Sequence, residues 1–152
     1  MRRRDMMAMS AGALVASGFG VRALGQALSA PSAAEDEALS RRYERERRFV
    51  ATRFGRIAYV ERGKGSVALF LHGFPLSSFQ WRGVIEQLSG ECRCIAPDAM
   101  GLGYTEVAPK QSLTPGAQAD MLIAFLESLA IERVNLIGNG LLRVLLTPGL
   151  ER

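Results

Sequence analysis

The residues that could carry chemistry in this chain are few, and most of them stand where an apolar run ends. Among 152 residues there is one histidine, His72, and two cysteines, Cys92 and Cys94. His72 opens the sequence His72-Gly73-Phe74-Pro75, directly after the uncharged run Val67 to Leu71. Gly73 lets the backbone turn sharply and come close to a ligand, while Pro75 fixes φ and biases Phe74 towards an extended conformation. Such a loop can aim a backbone N–H into a cleft. The cysteines are two apart in a predicted fourth strand, so their side chains share a face and do not readily bridge each other. A Cys-x-Cys with one distant histidine is not a metal site, and the pair reads as buried thiols. Asp98 follows that strand and could act as a general base. Two glycine-rich stretches are excluded as nucleotide sites. Gly63-Lys64-Gly65-Ser66 lacks the GxxxxGK[ST] spacing and precedes a strand, and Gly138-x-Gly140 has Arg143 where a dinucleotide fingerprint needs its third glycine.

These residues need elements to hold them. The five uncharged residues of Val67 to Leu71 suit a central strand covered on both faces. Before it, Arg48 to Thr52 and Arg56 to Glu61 read as two strands, with turns at Phe54-Gly55 and Arg62-Gly63-Lys64-Gly65. After it, Trp81, Val84, Ile85 and Leu88 fall at helical spacing and are expected against the sheet, with Gly90 ending that helix. Thr114-Pro115 predicts a helix start, with Thr114 as N-cap and Met121, Leu122, Phe125, Leu126 and Leu129 as its apolar stripe. Val134 to Ile137 is the predicted fifth strand.

In these stretches the chain resembles the α/β-hydrolase family, whose third strand ends in a His-Gly-x-Pro loop that gives one oxyanion-hole N–H from the residue after the glycine. Here that residue is Phe74. The likeness runs on through FQWRGVIEQLS, CRCIAPDAMGLGYTE, QADMLIAFLESLAI and RVNLIGN, covering about Phe49 to Asn139. Its wording is most similar to the branch of epoxide hydrolases and haloalkane dehalogenases. The resemblance implies an α/β fold, here the N-terminal half of a mostly parallel sheet whose first two strands are antiparallel, with flanking helices. It implies that Asp98 steadies the following loop, and that His72, Gly73, Phe74 and Pro75 form the oxyanion-hole loop with His72 in a structural role. It also places a nucleophile in a small-x-nucleophile-x-small elbow after the fifth strand. Counting from Gly138, the nucleophile position is Gly140, which has no nucleophilic atom, and the second small position is Leu142.

The family's acid and histidine come from later strands, so the expectation is a truncated hydrolase with no intact catalytic residue, no cofactor and no metal. The intact family acts on small-molecule substrates. A second reading is a non-catalytic interaction protein whose half-sheet pairs with another chain, and an unpaired fifth strand would favour self-association.

Composition sets the remaining limits. A hydrophobic content of 48% with 22% charged residues is that of a globular chain. A single domain fits this length, whereas complete α/β domains run to roughly 200–250 residues. The formal net charge is +4, and Arg2, Arg3, Arg4 and Arg22 against Asp5 place most of it before residue 30. The body is nearly neutral, which argues against nucleic acid as a partner.

Residues 1–29 have the basic start, apolar stretch and small residues of a signal peptide, and Arg3-Arg4-Asp5-Met6-Met7 resembles a twin-arginine signature. That predicts export to the periplasm with no stable membrane anchor after cleavage. Residues 30–47 read as a small, acidic linker and a charged segment, residues 48–140 as the partial hydrolase domain, and residues 141–152 as a divergent apolar tail.

Overall fold

A computed structural model describes residues 32–138. These fall almost entirely in a compact unit that begins at Glu35. Its centre is a five-stranded sheet formed by β1 (Arg48–Thr52), β2 (Gly55–Arg62), β3 (Val67–Leu71), β4 (Arg93–Pro97) and β5 (Asn135–Gly138). The spatial order is β1-β2-β4-β3-β5. β1 and β2 form an antiparallel hairpin and β2 runs antiparallel to β4, while β3 is parallel to both β4 and β5. This is the partial α/β-hydrolase sheet with antiparallel entry strands that the resemblance implies, its pairings here divided equally between antiparallel and parallel.

The hairpin turns tightly because Gly55 adopts φ +122°, and a Cβ there would overlap the carbonyl of Glu106. β3 is buried from Ala68 to Leu71, as expected of a strand with neighbours on both sides and helices over both faces. One face packs Val60, Phe70, Cys94 and Ala96 under Tyr43 and Ile85. The opposite face meets helix α3 (Pro115–Ser128), where Tyr59 and Phe125 pack edge to face with ring centroids 5.3 Å apart. Helix α3 begins as predicted, with the Thr114 hydroxyl accepting the Ala117 N–H at 3.4 Å. Met121, Leu122, Phe125 and Leu126 are buried and Leu129 is half-buried.

Two stretches differ from the sequence expectation. Residues 33–46, read as linker and charged segment, form helix α1 (Ala33–Glu46). The charges sort themselves along it into i,i+4 pairs, Arg41 with Glu37 and Arg42 with Glu46. Its one aromatic residue, Tyr43, turns inward and is 1% exposed. Buried Arg62 ties α1 to the sheet and to helix α2 (Arg82–Leu88) through ion pairs with Glu46 and Glu86.

The second difference lies after His72, where the predicted helix is split. A 3-10 turn over Ser78–Trp81 leads into α2, and the change of period leaves Val84 exposed while Ile85 is fully buried. Trp81 packs on Phe70 at 5.4 Å between ring centroids.

Candidate active site

The parallel strands β4, β3 and β5 end on the same edge of the sheet, where ligands of open α/β sheets bind. In register, Leu71 stands opposite Gly138, so the loop that begins at His72 starts beside the end of β5. Gly140, the predicted nucleophile position, and Leu142 lie outside the described residues.

The loop is held from both ends. Gly73 donates its N–H to the side-chain carbonyl of Gln80 at 3.0 Å, Leu76 donates to the Gly73 carbonyl at 2.9 Å, and the Phe74–Pro75 peptide is cis. Between those two tied amides, the N–H of Phe74 meets no acceptor among the described residues. The Phe74 side chain is 79% exposed, with Leu76 and Tyr104 also exposed. The guanidinium of Arg47 lies over the Tyr104 ring at 3.3 Å from its centroid.

His72 is fully buried. Its Nε2 accepts the Ala99 N–H at 3.0 Å, so the ring proton sits on Nδ1, which faces the Gly73 carbonyl at 3.0 Å. Both nitrogens are engaged by backbone, and neither is free to take a proton from a substrate.

The three residues after β4 are each gripped by a different element. Asp98, 1% exposed, accepts the Ser78 N–H on Oδ1 at 2.7 Å and the Tyr104 N–H on Oδ2 at 2.8 Å. Ala99 is bound by His72. Met100 exchanges two hydrogen bonds with the Gln118 amide on α3, its N–H donating to Oε1 at 3.0 Å and its carbonyl accepting from Nε2 at 2.9 Å. Asp98 thus braces both the loop after β3 and the loop after β4, as the resemblance implied for the second of them.

Sequence reasoning missed Gln118 and Gln80. For Gln118 a signal was present: it lies three and four residues before Met121 and Leu122, on the apolar stripe itself, where a polar side chain needs a buried partner. Gln80 had no such signal, because the 3-10 turn that aims it at Gly73 follows no helical period.

Gly103 has φ +56°, and a Cβ at this position would run into the Asp98 carboxylate. We expect Gly103→Ala to lower stability by about 2 kcal/mol, from left-handed strain added to displacement of the brace. Urea unfolding of the two proteins checks this, with an unchanged midpoint as the contrary result.

The cysteines differ from expectation in one respect. Cys94 is fully buried in β4, but Cys92 lies in the turn before the strand and is half-buried, and the two sulfurs are 3.6 Å apart. Leaving the extended strand conformation at Cys92 removes the spacing that would have separated them. Both thiols are free.

Comparison with known proteins gives a consistent result. Residues 68–140 match the family described as alpha/beta hydrolase fold. Haloalkane dehalogenase 2 of Mycobacterium tuberculosis is 33% identical over 97 residues, which make up 64% of this chain and 34% of that protein. Among solved structures, an epoxide hydrolase from Vigna radiata aligns with a TM-score of 0.58 at 35% identity, covering 62% of this chain and 32% of that one. The haloalkane dehalogenase DatA from Agrobacterium tumefaciens aligns with a TM-score of 0.57 at 31% identity over 61% of this chain and 32% of its own. The chain spans about a third of the length of the relatives it matches.

Proposed function

As a member of the α/β-hydrolase family, on its epoxide hydrolase and haloalkane dehalogenase-like branch, the chain carries the part of the fold that precedes the nucleophile, and we propose that it supplies an oxyanion-hole loop without performing hydrolysis by itself. The observation that carries the first half is the Phe74 N–H. Among the described residues it meets no acceptor, and it stands at the carboxyl edge of the parallel strands between two amides that are tied down. A backbone donor held this way is ready to meet negative charge on an oxygen that develops in acyl, epoxide or carbon–halogen chemistry, at no cost of reorganisation. Small molecules bearing such groups are the substrate class this reading assigns to the intact fold.

The second half rests on the residue inventory. Position 140 is glycine, and the single histidine of these 152 residues has both ring nitrogens bound by backbone. Nucleophile and base act as a unit in this kind of catalysis, so a chain without either forfeits nearly all covalent rate enhancement. The purified chain is expected to release no product above buffer from a brominated alkane, styrene oxide or a p-nitrophenyl ester. Turnover that scales with protein and survives repurification overturns this. Native-state amide exchange tests the loop separately, with Gly73 and Leu76 protected and Phe74 exchanging freely. Protection at Phe74 equal to that of its neighbours removes the oxyanion reading.

Export by the twin-arginine route to the periplasm is the accompanying proposal, supported by Arg3-Arg4 ahead of the apolar stretch Met6 to Val21. Residues 1–29 lie outside the described residues. Replacing both arginines by lysine should hold the precursor in the cytoplasm, as read by fractionation. Unchanged export points to a different signal.

A further inference from the structure

The Cys92 and Cys94 sulfurs, 3.6 Å apart, belong to no part of the loop machinery described above. Their surroundings are unequal. Cys94 is fixed in the middle of the sheet, paired with Arg62 on one side and Ala68 on the other, and is fully buried. Cys92 ends the turn after α2, with its N–H on the Leu88 carbonyl at 3.1 Å and its thiol donating to the same carbonyl at 3.5 Å, and it is half-buried. Gly63, at φ +85°, lets the end of β2 pass so close that a Cβ there would overlap the Cys92 carbonyl. The Cys92 backbone is therefore confined, and its sulfur is left against that of Cys94.

We propose that Cys92 and Cys94 are a dithiol–disulfide redox pair, with Cys92 as the attacking thiol and Cys94 as the resolving one, oxidised by a low-molecular-weight disulfide. Access decides the order, because only Cys92 reaches solvent. Burial, and then the contact with Cys92, push the Cys94 thiol up to about 12, which makes it a poor first nucleophile in any case. The guanidinium of Arg62 lies close enough to act in the other direction, favouring the Cys94 thiolate in the second step.

In the first step the Cys92 thiolate attacks one sulfur of the oxidant, the oxidant's S–S bond breaks, and the leaving thiolate takes up the proton Cys92 released. In the second, the Cys94 sulfur attacks Cys92, giving its proton to the other departing thiolate. Two electrons pass from the pair to the oxidant, which leaves as two thiols. Closing the bond brings the sulfurs to about 2.05 Å, a change within reach of side-chain rotation at Cys92 and a small shift of its turn.

The full chain is incubated with glutathione disulfide, quenched with a maleimide and weighed intact. The expected result is loss of both maleimide-reactive thiols and of two hydrogen masses, without a retained glutathione. Trypsin cuts after Arg93, between the two cysteines, so in the oxidised chain the two peptides remain joined until a reductant is added. Cys94→Ser should retain glutathione on Cys92, and Cys92→Ser should remain unmodified while folded. A glutathione adduct that persists on Cys92 in the wild-type chain as it does in Cys94→Ser overturns the proposal. So does modification of Cys94 in folded Cys92→Ser at the rate seen for Cys92. Both readouts on the wild-type chain stand even where a variant fails to fold.

Discussion

Replacing Asp98 by alanine is expected to cost about 2–6 kcal/mol, because the buried N–H of Ser78 and the part-buried N–H of Tyr104 then lose a charged acceptor together, and each such loss costs about 1–3 kcal/mol. A typical domain has only about 5–15 kcal/mol in hand, so the variant sits near the unfolding threshold. The carboxylate touches both loops at the carboxyl edge, and its loss loosens them at the same moment. Asp98→Asn separates shape from acceptor capacity: the amide keeps one acceptor oxygen and turns an N–H₂ towards the other amide, so it should lose about half as much. Urea midpoints for the three proteins, with amide exchange at Ser78 and Tyr104, measure this. Equal stability of Asp98→Ala and the parent would show that the loops are held by other means.

Tyr43→Ala is expected to cost about 3–5 kcal/mol, the range for deleting a large buried aromatic side chain. The ring is 1% exposed and meets Phe79 edge to face at 5.4 Å, while the hydroxyl donates to the Ser78 carbonyl at 2.8 Å. Tyr43→Phe keeps the ring and should lose only about 1 kcal/mol. A pH dependence accompanies it. Burial pushes the Tyr43 phenol up to about 12 from its ordinary 10. The native state then keeps a proton that the unfolded chain releases, so the stabilisation is whole below pH 10 and is lost as the pH climbs towards 12, by about 3 kcal/mol in all. Cys94 titrates in the same alkaline window, so the comparison with Tyr43→Phe isolates the phenol. Identical alkaline unfolding curves for the two would remove it as the cause. Tyr43 and Asp98 both act on Ser78, one through its carbonyl and one through its N–H, and their double variant should be less damaging than the sum.

The residues that were legible in the sequence were those with a periodic or positional signature. An uncharged pentapeptide marked β3 to the residue, and Thr114-Pro115 marked the start of α3. The partial sheet with its antiparallel entry strands followed from the resemblance and not from any pattern in the residues, and the spatial order of the strands was not legible in the sequence. The loop after β3 was recognisable as a loop because Gly73 and Pro75 punctuate it, but nothing local shows that Gln80, seven residues on, holds it closed.

Helix α1 was only half legible, because its first residues read as an acidic linker and the mixed charge that follows reads equally as a solvated helix or a strand entry. Its hold on the body comes from Tyr43 and from the ion pairs of Glu46 with Arg62, Arg42 with Glu86 and Asp36 with Arg82, which are tertiary facts. The contact of Cys92 with Cys94 was hidden by the assumption that both belong to one extended strand. Side chains that work through backbone amides of distant loops leave no period, and they account for most of what the sequence did not disclose.

The sheet order also fixes a sequence of events in time. The hairpin of β1 and β2 joins neighbours, whereas Ala68 in β3 meets Asn135 in β5 across 67 positions (135 − 68). Closing so long a loop costs entropy before any contact repays it, and non-local parallel pairing is slow for that reason. During folding, β3 should therefore have its β4 partner in place while its other side still waits for β5. A newly made chain passes through an interval in which the apolar run Val67 to Leu71 offers unpaired amides to whatever is near. The interval lasts until α3 has been laid down and carries β5 across, so the lifetime of that exposed edge is set by the helix that precedes β5.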